Sequence, residues 1–225
     1  MNLVKSFLRF FYSYLDPAER LSEVLFGLIM VISIVSTVHL LLPKDEETVS
    51  ELLKAALGCN AAWGIVDGVL YVLNSVLLRS QRNVMIQKVR KAHSPEEALA
   101  MIAKRLDPMV NPLVETQERD QFYRSILKKI SGTPLETERL LKADIWGAVL
   151  CFSLVFLSTF PVTIPFMVFS DPVLALRISY LVSLTMLFIV GYRWGHFAMM
   201  RPWRPAMGMV LIGVTLVLIT IALGG

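Results

Sequence analysis

Long apolar runs separated by short polar stretches dominate the hydrophobic pattern of this chain. Five runs are long enough, or nearly so, to cross a bilayer as a helix: 21–42, 55–78, 145–170, 174–192 and 205–225. A hydrocarbon core about 30 Å thick requires roughly 20 apolar residues at the helical rise. Because lipid leaves open backbone groups unsatisfied, such segments span as helices. The pattern predicts an all-α integral membrane protein with five transmembrane helices.

Helix starts are marked by a repeated pattern of a capping residue, a proline and a glutamate three positions after the cap. It occurs as DPAE (16–19), SPEE (94–97) and TPLE (133–136), and Asn111-Pro112 and Asp171-Pro172 give weaker versions. The cap accepts from free N–H groups, and the glutamate bonds back to the cap. With the apolar runs, these signals predict helices near 17–42, 52–90, 95–106, 112–131, 134–168, 172–194 and 204–223.

The segment 79–142 differs from the rest of the chain in being too charged for lipid. It carries 13 Lys and Arg against 8 Asp and Glu. Two of its predicted helices are amphipathic, and each apolar face must be buried against something. Those faces are Ala98, Met101, Ile102 and Leu106 in the first helix, and Phe122, Ile126 and Ile130 in the second. A helical insert of this size is marginal as an independent core, so we expect it to pack on extensions of the membrane helices or on a partner subunit.

Charge sets the expected orientation. The net charge is +4, and the basic residues gather before the first run, after the second and between the fourth and fifth. The positive-inside rule then places the N-terminus and the insert in the cytoplasm and the C-terminus on the opposite side, in the inner membrane if the protein is bacterial. This distribution fits a lipid bilayer as partner and gives no indication of nucleic-acid binding. We expect four parts: an interfacial amphipathic helix (1–20), transmembrane helices one and two (21–78), the insert (79–142) and transmembrane helices three to five (143–225).

The second apolar run contains one carboxylate, in the stretch AWGIVDG (62–68). Asn60, Asp67 and Asn74 are spaced by seven residues, so they project from one helical face, which Trp63 and Tyr71 join. An ionised carboxylate at mid-bilayer costs about 2.5–3.5 kcal/mol even on insertion scales. This face is therefore predicted to point at other helices or at water.

Two interpretations of this face remain open. In the first, the asparagines bond across a helix interface, and Asp67 stays protonated or pairs with a cation such as Arg177 or His39. In the second, oxygen ligands line a pathway for a divalent cation, with Met30 as a candidate soft contact. Pro161 and Pro165, in the third run, break the backbone ladder, which fits either a pathway or a kink used for packing.

The layout resembles the vacuolar iron transporter (VIT) family. The resemblance lies in the five-span architecture with one cytoplasmic insert, in LSTFPVTIPFMVFSDPVLALRIS (157–179) with its paired prolines, and in GYRWG (191–195) followed by a basic loop and a last apolar run. The family's first span has an aspartate three residues after a phenylalanine-glycine pair. Here Phe26-Gly27 is followed by Met30 at that position, and the corresponding aspartate pattern stands in the second span, at Asp67.

The resemblance also implies metal binding by the insert and a homodimer with the pathway between subunits. The family's insert is rich in glutamate and methionine, whereas this one is net basic. The predicted pathway residues are Asp67, Asn60, Asn74, Met30 and Tyr71, and the predicted metal ligands are Asp67, Glu96, Met101, Glu115 and Glu118. The acids of the insert fit a solvated helix face or capping partners equally, and Glu97 and Glu136 are better explained as capping partners.

The leading hypothesis is a transporter that exports or sequesters Fe²⁺ or Mn²⁺ in exchange for protons. The metal would be its substrate, with no permanently bound cofactor. The alternative is a non-transporting membrane protein on the same fold, whose basic insert binds a protein or lipid partner. An enzyme is not expected, because no nucleophile, base and metal-ligand cluster occurs in the sequence.

Overall fold

The described residues fold into helices joined by short connections. The computed structural model describes residues 14–41, 46–137 and 139–222, with side chains described in these ranges except at 37–41, 46–48 and 221. Over those ranges the helices are α1 (Pro17–Leu41), α2 (Glu46–Arg90), α3 (Pro95–Val110), α4 (Thr116–Gly132), α5 (Lys142–Val168), α6 (Pro172–Phe197) and α7 (Trp203–Ala222). The same ranges contain no strand, so the all-α prediction is confirmed for them. Most of the predicted interfacial helix (1–20) lies outside the described residues.

Four helices are long and apolar enough to cross a membrane. They are Val49–Arg90, Lys142–Val168, Pro172–Phe197 and Trp203–Thr220. These agree with four of the five predicted crossings and indicate an integral membrane protein. The predicted first crossing, 21–42, is not among them in the part of the chain that the structure describes.

Three of the predicted helix starts are confirmed. Ser94 Oγ accepts from the N–H of Glu97 (3.2 Å), and a Glu97 carboxylate oxygen accepts from the N–H of His93 (2.8 Å). Asp171 Oδ1 accepts from the N–H of Val173 (3.0 Å) at the start of α6. At the start of α1, the N–H of Asp16 donates to the carboxylate of Glu19 (2.9 Å).

The helix predicted from TPLE is wrong at its start. Residues 133–137 are not helical, and α5 begins only at Lys142. The reason is tertiary, because Asn83 bonds to both the N–H (2.9 Å) and the carbonyl (2.8 Å) of Glu136. The Glu136 carboxylate forms an ion pair with Arg82 instead of capping a helix.

The helix predicted from Asn111-Pro112 also begins too early. Residues 111–114 form a turn, and α4 starts at Thr116. The side-chain oxygen of Asn111 accepts from the guanidinium of Arg119 (2.5 Å). The asparagine therefore bonds to a side chain one helix later and does not cap α4.

The chain divides into two compact units. The first comprises Met1–Val72 and Leu141–Gly225, and the second is Leu73–Leu140. In the first unit α1 contacts α5, α6 and α7, and α6 and α7 pack together. Its core consists mainly of apolar side chains of α1, α5 and α6, with Leu28, Val31 and Val35 fully buried.

Glycines permit close approach to α5 inside the first unit. A Cβ at Gly27 of α1 would lie 2.6 Å from the carbonyl oxygen of Val155. On α2, a Cβ at Gly64 would lie 3.1 Å from the Phe152 carbonyl oxygen, and one at Gly68 would lie 3.0 Å from that of Ala148. Gly64 and Gly68 form a small-xxx-small pair of the kind that brings membrane helices together. The stretch AWGIVDG thus has a packing role besides carrying Asp67.

The second unit has a small core built from α3, α4 and the C-terminal part of α2. Val89, Ala98, Ile102 and Tyr123 are buried in it. The apolar face predicted for α3 is confirmed, since Met101 and Leu106 also pack on this core. The face predicted for α4 is wrong in one respect, because Phe122 is 45% exposed and the next residue, Tyr123, is buried in its place.

The paired prolines do not end α5. The helix continues through Pro161 and Pro165 to Val168. Ser179 of α6 donates its hydroxyl to the Val162 carbonyl (2.8 Å), which adds a bond from outside the helix at this point. The predicted break of the ladder is therefore confined to the bonds that the two proline nitrogens cannot make.

Candidate functional site

Asn60 of α2 is fully buried and joins three helices. Its Nδ2 donates to the Thr159 hydroxyl of α5 and, at 3.4 Å, to the Gly27 carbonyl of α1. Its Oδ1 is buried without a hydrogen-bond partner. These contacts agree with the interpretation in which this asparagine bonds across a helix interface. This Oδ1 is thus an acceptor to which a water could donate or a cation could bind.

Asp67 lies two turns further along α2 in a different environment. Its side chain is half-buried, and no hydrogen bond or ion pair joins it to another residue that the structure describes. Arg177, one of the two cations considered as its partner, is exposed on α6. His39, the other cation, lies outside the residues whose side chains the structure describes. The carboxylate is neither sealed in dry packing nor capped by a guanidinium within the described ranges.

Glu23 of α1 is the residue that the sequence analysis missed. Its carboxylate interacts electrostatically with those of Asp67 and Glu19 and with the Cys151 thiol of α5. One carboxylate oxygen, Oε2, is buried without a partner. A charged residue inside the apolar run 21–42 was the available signal, because the criterion applied to Asp67 applies equally to Glu23.

The remaining predicted pathway residues lie in three different environments. The Tyr71 hydroxyl donates to the Tyr14 carbonyl (2.8 Å), and its ring packs where a Cβ on Gly147 would lie. Met30 is half-buried on α1. Asn74 is exposed and belongs to the second compact unit. Asp67 therefore interacts electrostatically with Glu23 and Cys151, while Asn60 and Tyr71 form hydrogen bonds from α2 to other parts of the first unit.

The chemistry of this site favours a cation. The Glu23 and Asp67 carboxylates have like charge and interact, and within the described residues neither forms an ion pair with a basic side chain. They stand on α1 and α2, and the Cys151 thiol of α5 is the third member of the cluster. Carboxylate oxygens suit hard and borderline divalent cations. Yet no group of three or more His, Cys, Asp and Glu among the described residues is arranged to hold a metal.

The metal ligands predicted in the second unit are not brought together. Glu96, Glu115 and Glu118 are exposed, whereas Met101 packs on the unit's core. Of the other acids, Asp107 accepts a hydrogen bond from the Tyr123 hydroxyl (2.7 Å), a bond that raises the pKa of this tyrosine. The Asp107 carboxylate is thus already hydrogen-bonded to another side chain.

Comparison with known proteins places this geometry in context. A family model described as the VIT family matches residues 74–225, about two thirds of the chain. No curated protein matches the chain. The matched region begins in the C-terminal part of α2 and runs to the end of α7. It therefore does not include Glu23, Asn60 or Asp67.

Proposed function

The chain belongs to the VIT family, and from this premise we propose that it transports divalent metal ions, Fe²⁺ or Mn²⁺, across its membrane. Family membership indicates a membrane metal-ion transporter. The identity of the ion rests on the oxygen-rich donor set, since carboxylates suit these cations better than they suit soft ones.

One observation carries this proposal, namely the interaction of the Glu23 and Asp67 carboxylates, neither of which forms an ion pair with a basic side chain in the described ranges. Both stand on helices whose neighbouring surfaces are apolar, where an uncompensated charge is costly. Such a pair must take up protons or a cation to stay neutral. Alternation between the protonated pair and the metal-bound pair is the elementary exchange of a proton–metal antiporter, and we assign it to these two residues.

The proposed topology has five crossings. α1 supplies the crossing at 21–42, with the N-terminus and the insert (79–142) in the cytoplasm and the C-terminus on the opposite side. Transport would run from the cytoplasm outward, and in a bacterium this would be export through the inner membrane.

We further propose that the protein works as a homodimer. Divalent cations such as these take about six ligands, and the single chain offers two carboxylates and a thiol at the site. A second copy of the site, together with water, would supply the remaining ligands. Met30 and Asn60 stay in the proposed pathway as neighbouring donors. We propose that the other predicted ligands bind metal only when dimer formation or the ion itself brings them together; these are Glu96, Met101, Glu115 and Glu118.

Uptake into proteoliposomes tests this function. Full-length protein is reconstituted, and uptake of Fe²⁺, Mn²⁺, Ca²⁺ and Zn²⁺ is followed with and without a pH gradient. We expect Fe²⁺ or Mn²⁺ uptake that accelerates at least about tenfold when the liposome interior, which the metal enters, is more acidic than the outside. An uptake rate that is the same with and without the pH gradient would exclude proton–metal antiport.

The second candidate is a non-transporting membrane protein on the same fold. The observation that favours it is the basic second unit, whose acids are dispersed over its surface. In the same liposomes this alternative predicts no uptake of any of the four ions. Members of the VIT family are transporters, not enzymes, and we propose no catalytic activity.

A further inference from the structure

The second unit contains an open groove of about 990 Å³ between α2 and α3. Part of its lining is apolar and comes from both helices, with Leu77, Leu78, Met85, Met101 and Leu106 as the larger side chains. The groove lies wholly in residues 77–106. It is separate from the Glu23–Asp67 site, and the proposed transport does not use it.

The polar part of the lining is basic. Arg82, Lys88, Lys104 and Arg105 line the groove, and no acidic residue does. Arg82 forms an ion pair with Glu136, so its charge is largely offset. The other three form no ion pair with any residue in the described ranges. The groove therefore presents three uncompensated positive charges beside an apolar surface.

The apolar and the basic parts of the groove lie one after the other along α2, which relates them to the interior and the surface of a bilayer. Leu77 and Leu78 are 52% and 64% exposed and end the apolar run predicted to lie in the membrane. Lys88 follows Leu78 on the same continuous helix, about 15 Å further along its axis at the helical rise. An amphiphile with its chains beside the leucines would place its charged group beside the lysine.

We propose that this groove binds an anionic phospholipid. The acyl chains lie against Leu77, Leu78 and Met85, and the phosphate is held by Lys88, Lys104 and Arg105. Basic clusters immediately beyond a membrane helix attract anionic headgroups through such contacts. A free anion would explain the charges but not the apolar lining, and an acidic peptide would not require the groove to begin at the end of a membrane span.

Thermal unfolding of the full chain in a neutral detergent tests the proposal. The unfolding midpoint is measured against added phosphatidylglycerol, phosphatidylcholine, inorganic phosphate and poly-glutamate. We expect only phosphatidylglycerol to raise it. A cation near the headgroup contributes roughly a fivefold factor, so Lys104→Gln with Arg105→Gln should raise the half-saturating phosphatidylglycerol concentration about 30-fold.

A matched pair on the same unit provides the control. Lys128 and Lys129 of α4 are exposed and outside the groove, so Lys128→Gln with Lys129→Gln should leave the lipid response unchanged. Lys104→Arg with Arg105→Lys keeps both charges and should retain the response. Three results would each overturn the proposal. The lipid response could be lost equally in the two glutamine variants, or it could be lost in the charge-conserving variant. Phosphate or poly-glutamate alone could also raise the unfolding midpoint as much as phosphatidylglycerol does.

Discussion

Asp67→Asn is expected to abolish metal-ion uptake in proteoliposomes while leaving the protein folded. Asparagine has nearly the same shape as aspartate but can neither release a proton nor carry a negative charge. Two unit charges 4 Å apart near a protein surface interact by about 4 kcal/mol. Allowing for the cost of dehydrating the ion, we expect the Mn²⁺ uptake rate to fall at least about 100-fold.

The control for this substitution is Asp120→Asn. Asp120 is exposed on α4 and pairs with Arg124 (2.9 Å), and an exposed pair of this kind contributes little to stability. Uptake by this variant should match that of the wild type. An Asp67→Asn protein that transports at the wild-type rate would exclude this carboxylate from the pathway.

The second large effect concerns packing at Gly27. An alanine Cβ there would overlap the Ser158 hydroxyl and lie 2.6 Å from the Val155 carbonyl oxygen. Since the carbonyl belongs to the backbone of α5, the two helices must separate, and overpacking of this kind costs about 1–3 kcal/mol. For a chain of this length we expect Gly27→Ala to lower the unfolding midpoint by roughly 2–12 °C.

Gly58→Ala is the matched control for this prediction. Gly58 lies inside α2, and a Cβ there would meet nothing within 4 Å. Alanine is favoured over glycine in a helix interior by roughly 0.5–1 kcal/mol, so this variant should unfold at a slightly higher temperature. Equal changes at the two positions would contradict the close approach of α1 and α5.

The helices were predictable wherever the determining contacts are local. Ser94 and Asp171 cap their helices through bonds to residues two or three positions away, and such bonds can be anticipated from the sequence. TPLE has the same form, but Glu136 is bonded to Asn83, which is distant in the chain. Sequence alone cannot show that a distant side chain competes for the backbone of a capping motif.

The site was predictable in part. The spacing of seven predicted one helical face for Asn60, Asp67 and Asn74, but the structure gives the three residues different surroundings. An α-helix drifts by about 20° per heptad, so residues seven positions apart need not meet the same neighbours. Asn60 therefore bonds to α1 and α5, Asp67 interacts with Glu23, and Asn74 is exposed. Glu23 was missed because the criterion applied to Asp67 was not applied to the carboxylate in the run 21–42, and because two of its partners, Asp67 and Cys151, are distant from it in the chain.

The central claim is that Glu23 and Asp67 act together on one transported ion, and a double-mutant cycle of metal uptake tests it most directly. Uptake is measured for Glu23→Gln, Asp67→Asn and the double variant, with Glu51→Gln, exposed on the same helix as Asp67, as the control. If the two groups serve one step, the double variant should be no slower than the slower single variant, since residues that act as a unit are not additive. Independent losses that multiply in the double variant, or a Glu23→Gln protein as active as Glu51→Gln, would contradict the claim.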